Sequence, residues 1–581
     1  YPCRYQKSKI TIIDEFLNTA KDQAEKKNWL RRADQILDYL DELGDRCAKE
    51  LDDIEKAPEK RIDYTEADLN KMVIRDGEIL APVLGGDENV LKPVFLTGIM
   101  GWFHDDHYKI IRNYGYNCSA FEWEMVNTDN EGSTVYFTNK CKALSDTNMA
   151  FQVLFSPHYI SGEQYNQYPS LDPLGFRRGQ FISPYNVSSP DLKTLIAHHV
   201  QNIVPILKDF PNLIGYDLEN ELYSFPYPDF EYSKWTEDNI SYDNPWEAQI
   251  EYNQHNMYEL VTWFRDEIEK IDNSKVIFTK CCPGLEIPGY EREKISDILS
   301  AHSFWSYSEP YPTDDFAANF FLEGMELDTY NSFDKNKIIT EGELHLNIVK
   351  PQGDFISEKF TNWSMWNMYV RGKDASHIWG WGIDVEDYSN MFHIQPWAVY
   401  GAAKANMDVN RVSEYVAPFA KAPRDYALFY GGSGIEELYK AATFSDANFD
   451  FITDMTVKKG LDKYKFVIIL DDATPAKETL NALKKAGTPV VTLSSDADMK
   501  TLWKQIASSF AKFKVAPLVS PKKFGLDCRS YKKDGKTVFY LSNYSKEKIK
   551  VNLPKKSADL LTGKEYLTIT LEPLDFYLMI N

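Results

Sequence analysis

No stretch of this 581-residue chain approaches the roughly 18 uninterrupted apolar residues that a membrane-spanning helix needs, so no membrane partner is expected. No C-x-x-C pair occurs either. The seven cysteines (Cys3, Cys47, Cys118, Cys141, Cys281, Cys282 and Cys528) are scattered, which argues against a cysteine zinc centre and a disulfide scaffold. Positive charge is short: 65 Lys and Arg stand against 87 Asp and Glu, a formal net charge of -22. Nucleic acid is therefore not an expected partner, because polyphosphate affinity rests on Lys and Arg. Polyanionic substrates are disfavoured more weakly, since one local basic pocket can override the global field. The glycine pattern of a nucleotide cradle is missing too. Gly431-Gly-Ser-Gly434 has neither G-x-G-x-x-G spacing nor a following Lys-Ser/Thr, so it reads as a plain turn.

What the chain does have is apolar and aromatic mass, 43% and 14% of residues, enough for several cores and three or four domains. Residues 11 to about 56 are helical by period. Leu30, Ala33, Leu37 and Leu40, then Leu43, Cys47, Leu51 and Ile54, recur at three- and four-residue intervals among charges, the pattern of a helical hairpin laid on a larger body. From about residue 91, short apolar strands alternate with amphipathic helices. Candidate strands at 94–98, 115–118, 150–155, 213–216, 276–279, 298–301, 337–340 and 376–379 predict an α/β fold, a (β/α)8 TIM barrel, whose catalytic groups sit at strand C-termini. A second alternation from about residue 424 predicts a small flavodoxin-like α/β domain. After about 520, short strands with a hairpin signal at Asp534-Gly535 predict a small β-sandwich. The expected division is 1–90 for the N-terminal helical segment and lead-in, 91–420 for the barrel, 421–518 for the flavodoxin-like domain and 519–581 for the sandwich.

The barrel rule directs attention to strand exits. Leu213-Ile-Gly-Tyr-Asp-Leu-Glu-Asn-Glu221 reads as a buried strand that ends in an amide beside a carboxylate, where a covered parallel strand should want neither. Three strands later, 337–340 runs into Glu341-Gly342-Glu343. Two carboxyl groups about 5 to 5.5 Å apart are what glycosidic cleavage with retention requires, one as acid/base and one as nucleophile. Asn130-Glu131 spells the same dipeptide, but in a polar turn with no strand before it, so the strand context carries the signal. Other strand exits hold His158, His302, Trp102, Trp379 and Trp381, residues suited to a sugar pocket. Trp379 and Trp381 share a face of a regular strand, as do Glu341 and Glu343.

These motifs resemble clan A glycoside hydrolases. The resemblance implies that Glu221 is the acid/base, Asn220 the amide that holds the sugar 2-hydroxyl, Glu341 the nucleophile, and a tryptophan of the eighth strand the sugar platform, with Glu343 kept as a pocket residue. Phe121-Glu-Trp123, then Glu131-Gly132 and Val135-Tyr-Phe137, resemble the second-strand region of family 42 β-galactosidases. That family also carries an amidotransferase-like domain and a small β-sandwich after the barrel. The multi-cysteine zinc loop of some members is absent, and the N-terminal helical segment is foreign to the family. By resemblance, the expectation is a retaining exo-acting β-glycosidase cleaving β-galactosides or β-mannosides of an oligo- or polysaccharide. It would need no cofactor and no metal, and it would assemble as a trimer. An endo-acting β-glycanase such as a mannanase, and a non-catalytic carbohydrate-binding barrel, stay open as alternatives. The chain begins at Tyr1 rather than Met, as expected of a protein that has lost a leader; on that expectation a periplasmic or secreted location is favoured, and the compartment stays open.

Overall fold

The structure is a computed structural model that describes residues 3–25, 30–101, 107–123, 130–157, 160, 162–171, 189–220, 245–280, 289–308, 310, 312–313, 315–319, 321–346, 356–381 and 392–581. The chain opens with two helices, α1 (Arg4–Glu25) and α2 (Leu30–Lys56). Ala33, Ile36, Leu40, Leu43 and Cys47 line the buried side of α2 at alternating three- and four-residue steps, which keeps one stripe against α1 and the barrel. The stripe meets Ile12, Phe16 and Ala20 of α1 in the main core. A three-stranded antiparallel sheet follows, β1 (Val73–Arg75), β2 (Glu78–Pro82) and β3 (Leu91–Pro93). Asp76 and Gly77 join its first two strands with positive φ at both positions, the turn that matches the twist of a two-residue hairpin. Its Ile79 and Ala81 pack with Leu96, Cys118, Ala150, Ile214, Phe278, Ile338 and Ala375, closing the barrel at the N-terminal ends of its strands.

The barrel strands are β4 (Leu96–Gly101), β5 (Cys118–Glu122), β6 (Ala150–Leu154), β7 (Leu213–Asp217), β8 (Val276–Phe278), β9 (His302–Tyr307), β10 (Ile339–His345) and β11 (Lys373–Trp381). They form one parallel sheet in the order β8-β7-β6-β5-β4-β11-β10-β9, so β11 closes onto β4 as a TIM barrel requires. At the seam between β8 and β9, Ser300 N donates to Ile277 O (3.0 Å) and Ile277 N donates to Ser300 Oγ (2.6 Å). Each strand leads into a helix: α3 (His107–Tyr114), α4 (Glu131–Asp146), α5 (Pro190–Leu207), α6 (Pro245–Glu269), α7 (Gly289–Ile298), α8 (Phe321–Phe333), α9 (Glu358–Tyr369) and α10 (Pro396–Arg411). The α/β barrel expected from the sequence is therefore present, with two displaced strands, the second running over Cys118–Glu122 where 115–118 was expected and the sixth also shifted. Residue 298 ends α7, and the sixth strand runs over His302–Tyr307 instead of 298–301.

Strands β12 (Tyr426–Phe429), β13 (Phe449–Ile452), β14 (Phe466–Leu470) and β15 (Val490–Leu493) form a parallel sheet in the order β13-β12-β14-β15, the flavodoxin-like arrangement. The turn at 431–434 carries no open cradle, since the Asp472 carboxylate already accepts from Ser433 N (2.8 Å) and Ser433 Oγ (2.7 Å). The chain ends in β16 (Leu526–Lys533), β17 (Lys536–Asn543), β18 (Ile549–Asp559), β19 (Glu565–Leu571) and β20 (Phe576–Ile580), an antiparallel sheet in the order β16-β17-β20-β18-β19. One face encloses its own core of Phe539, Leu541, Val551, Ile569, Leu571 and Met579, and the other lends Val538, Tyr540 and Leu578 to the main core. Asp534 and Gly535 make the expected hairpin, both at positive φ.

These units are joined through charge as well as apolar surface. Arg371, just past α9 and 1% exposed, donates from Nη2 to Asp527 Oδ2 of β16 (2.7 Å) and lies 3.4 Å from Asp328 Oδ2 of α8. Arg529 donates to both oxygens of Asp328 (2.7 Å each), and Tyr439 of the flavodoxin-like unit donates to Asp328 as well (2.9 Å).

Candidate active site

Two bulges, each on a glycine, decide which of the paired glutamates of β10 and tryptophans of β11 enters the lumen. In β10 the pairing with β9 runs Thr340 to Ser303, Glu341 to Phe304, then Glu343 to Trp305, so Gly342 is an extra residue. A bulge reverses the side-chain alternation beyond it. Phe304 packs on Tyr330 of α8, so its partner Glu341 points outward, into the layer between barrel and helices. Gly342 faces the lumen, where an added Cβ would lie 3.0 Å from Lys280 Cδ, 3.2 Å from Ser303 Oγ and 3.4 Å from Asp217 Oδ2. Because of the extra residue, Glu343 also turns inward. The sequence expectation that the two glutamates share a face fails for this reason.

The same device separates the tryptophans of β11. Trp379 pairs with Met100 and Trp381 with Gly101, leaving Gly380 bulged at φ +99°. Trp379 joins Met100, Ala120 and Leu154 in an apolar cluster within the lumen. Trp381 packs outward on Tyr114 of α3 and on Phe392, with ring centroids at 6.0 and 6.3 Å. Of the pair, only Trp379 is placed to meet a ligand.

Around Glu343 stand groups from several strand ends. Its Oε2 accepts from Lys280 Nζ (2.5 Å), and its Oε1 lies 2.9 Å from His345 Nε2. The His345 ring stacks on Trp379 (4.9 Å between centroids, 29° between planes) and tilts against Trp305 at 5.5 Å. Glu343 is 6% exposed. Burial pushes its pKa up, but the Lys280 charge and the His345 contact outweigh burial and hold it at about 2, so the carboxylate is ionised across the working range. Asp217, at the end of β7, accepts from the Lys280 backbone N–H (3.1 Å); burial raises its pKa to about 8, leaving it a neutral acid at pH 7. His377, buried on β11, is held neutral with a pKa lowered by burial to about 3. Past β7 comes Asn220, whose Oδ1 is buried without a hydrogen-bond partner among the described residues. Glu221, His158 and Trp102 lie outside the described residues.

Glu341 occupies a different environment. It is 0% exposed and accepts from Lys373 Nζ (3.0 Å), Ser376 Oγ (3.2 Å) and Ser306 Oγ. Glu323 of α8 faces it and accepts from Ser308 Oγ (2.6 Å). Burial, then the Glu341 charge, pushes Glu323 well above the usual carboxylate range, so it is held as a neutral acid beside Glu341. Stability stored in that retained proton falls as pH rises from the ordinary glutamate value toward the folded one. Glu323→Gln, which keeps a neutral donor, is expected to change stability by less than about 1 kcal/mol and to remove that pH slope, whereas Glu323→Leu should cost about 1–3 kcal/mol by orphaning its partners. Denaturant unfolding at pH 5 and pH 8 measures both.

His302, expected in the pocket, begins the sixth strand instead of following it. It therefore sits at the N-terminal end of the barrel and points outward against Tyr330 (5.3 Å) and Phe333, neutral with a burial-lowered pKa of about 3. Asn130, of the second Asn-Glu dipeptide, caps α4 by accepting from Ser133 N (3.1 Å). Sequence reading missed Lys280 and His345, the two groups that hold Glu343. A lysine at a strand end reads as a solvated charge, yet Lys280 is 0% exposed.

No protein-family model and no curated protein matches the chain. Solved structures do. The apo exo-carrageenase GH42 from Bacteroides ovatus matches with a TM-score of 0.76 over 99% of this chain and 94% of its own, at 15% identity. The cold-adapted β-galactosidase from Rahnella sp. R3 gives 0.68 over 84% and 98%, at 11% identity. Alpha-L-fucosidase isoenzyme 2 from Paenibacillus thiaminolyticus gives 0.60 over 84% and 99%, at 10% identity. At these identities the likeness is one of fold. The 99% coverage takes in the N-terminal helices, which the sequence resemblance treated as foreign.

Proposed function

We propose that the chain is a retaining exo-acting β-glycosidase in which Glu343, in place of the expected Glu341, is the nucleophile and Glu221 the acid/base. One observation carries this reading: a lumen-facing carboxylate at the exit of the seventh strand, held ionised by Lys280 and by a His345 whose ring stacks on Trp379. The lumen-facing exit of a barrel strand is where such chemistry is built. The role of Glu221 comes from the Asn220-Glu221 motif on the fourth strand.

In the first step a Glu343 oxygen attacks the anomeric carbon, the glycosidic C–O bond breaks, and Glu221 gives its proton to the leaving oxygen. In the second, Glu221 takes a proton from water as the water oxygen attacks the same carbon, and the ester to Glu343 breaks. Asn220 would hold the 2-hydroxyl, and Trp379 would stack on the sugar face, a contact that suits the apolar side of a pyranose.

The fold neighbours named exo-carrageenase and β-galactosidase make a galacto-configured sugar the first substrate class to try, with β-mannosides second. A panel of aryl β-glycosides followed by NMR is expected to show β-galactoside hydrolysis with the β-anomer released first. Release of the α-anomer would contradict double displacement. Inactivity on the panel with internal cleavage of a β-glycan would favour an endo-acting enzyme, and binding without cleavage a carbohydrate-binding barrel.

A further inference from the structure

Glu341-Gly342-Glu343 is a degenerate sequence for a strand. In a regular β10 both glutamates would lie on the outer face, and Leu344 would enter the lumen in place of the Glu343 carboxylate that Lys280 now meets. Something outside the tripeptide must select the bulged register.

We infer that the buried pair of Glu341 and Lys373 is the positioning device that fixes the Gly342 bulge and so turns Glu343 into the lumen, an inference that rests on the reading of Glu343 as nucleophile. The geometry is that of an anchor. Glu341 is tied to both neighbouring strands at once, to Ser306 on β9 and to Lys373 and Ser376 on β11, and Glu323 of α8 closes the layer over it. Lys373 is itself 0% exposed, with its ammonium 5.7 Å from the Tyr369 ring centroid. One lysine thus stands on each side of the sheet, Lys373 outside and Lys280 inside, and each takes one glutamate. Without the bulge, Glu343 would be turned toward the outer layer already occupied by Glu341, and Lys280 would lose the carboxylate it now meets at 2.5 Å, a costly change for a buried charge. Bulges that re-aim a side chain beside a site are a known use of the extra residue. Buried ion pairs that specify register are the best-supported role of such pairs.

A purely structural pair would stabilise the fold and leave chemistry alone, so the test must separate folding from turnover. The double variant Glu341→Leu/Lys373→Met removes both charges together, and such replacements of a buried pair are often neutral for stability. In the full-length protein it is expected to fold, with a melting temperature lowered by the Ser306 and Ser376 hydroxyls left without their acceptor. Its kcat should fall by at least about a hundredfold with KM changed only a few-fold, the effect of a displacement near 1 Å at the reacting group, and toward the Glu343→Ala level to the extent that the regular register replaces the bulge. The acid limb of its kcat/KM profile should move to higher pH as Glu343 withdraws from Lys280 and His345; Asp217 from β7 and His377 from β11 face the same space and remain unchanged. Should the double variant fail to fold, Glu341→Gln keeps the shape of the side chain and is expected to show the same two changes at about tenfold in kcat, the scale of a lost charge-assisted hydrogen bond. Native kcat and a native acid limb in a folded variant would overturn the inference. Glu343→Ala separates it from the reading beneath. If that variant keeps its turnover, the nucleophile reading falls; if it is inactive and azide-rescued beside a fully active double variant, only the positioning role falls.

Discussion

Replacing Glu343 with alanine is expected to lower turnover on the order of 10^5-fold, the scale on which loss of a covalent nucleophile acts, and azide should restore it by forming the α-glycosyl azide. The expectation follows from the environment of the carboxylate. A nucleophile must be ionised and reach the substrate; Glu343 does the first through Lys280 and His345 and the second through its inward face. Because its pKa is depressed to about 2, the stability it contributes is present above the ordinary glutamate value and lost as pH falls through the folded one. The catalytic acid limb should therefore lie well below neutrality in the native protein. Glu341→Ala is expected to fail differently. It removes the partner of the buried Lys373, so lost folded protein should precede any effect on chemistry. Activity normalised to folded protein, measured with and without azide for both variants, distinguishes the two glutamates.

The second large effect is expected far from the lumen. Arg371→Met should destabilise the native assembly by about 3 kcal/mol, the lower end of the range for breaking a buried pair, because Arg529 still faces Asp328 and Asp527. The lost contacts hold the C-terminal sheet to α8 and the end of α9, so the effect should appear first as loosening of that sheet. Calorimetry should show a lower or split transition, and limited proteolysis should cut within or before residues 526–580 at lower protease concentration. An unchanged transition would mean that the apolar contacts of Val538, Tyr540 and Leu578 suffice for docking.

How much was legible in the sequence can be judged from single residues. The run 213–220 was readable because a parallel strand covered on both faces leaves polar residues only at its ends, and Asp534-Gly535 because only a few dipeptides accept two positive φ angles. Asp76-Gly77 carries the same signal and marks the small sheet beneath the barrel, which lies in the lead-in that the reading of residues 1–90 left without structure of its own. The site was legible as a place but not as a set of side chains. Period-two reasoning treats Glu341 and Glu343, or Trp379 and Trp381, as companions on one face; the bulges at Gly342 and Gly380 separate each pair. The signal was in the sequence, since Glu-Gly-Glu and Trp-Gly-Trp each place a glycine inside a strand, where it commonly marks a bulge. Which register the bulge selects depends on Ser306, Lys373 and Ser376 on neighbouring strands, information no local window contains. The sixth strand moved for a related reason. His302–Tyr307 carries polar His302, Ser303 and Ser306, which lower its apolar signal below that of 298–301, although tertiary burial of Phe304 and Trp305 makes it the strand.

Covalent trapping tests the central claim most directly. Incubation of the full-length protein with a 2-deoxy-2-fluoro-β-glycosyl fluoride of the sugar it hydrolyses slows the second step and leaves the glycosyl group on the nucleophile. Peptide mass spectrometry of the trapped enzyme is predicted to find the label on Glu343. A label on Glu341 would contradict the account, because it would require the β10 register to be the reverse of the one described.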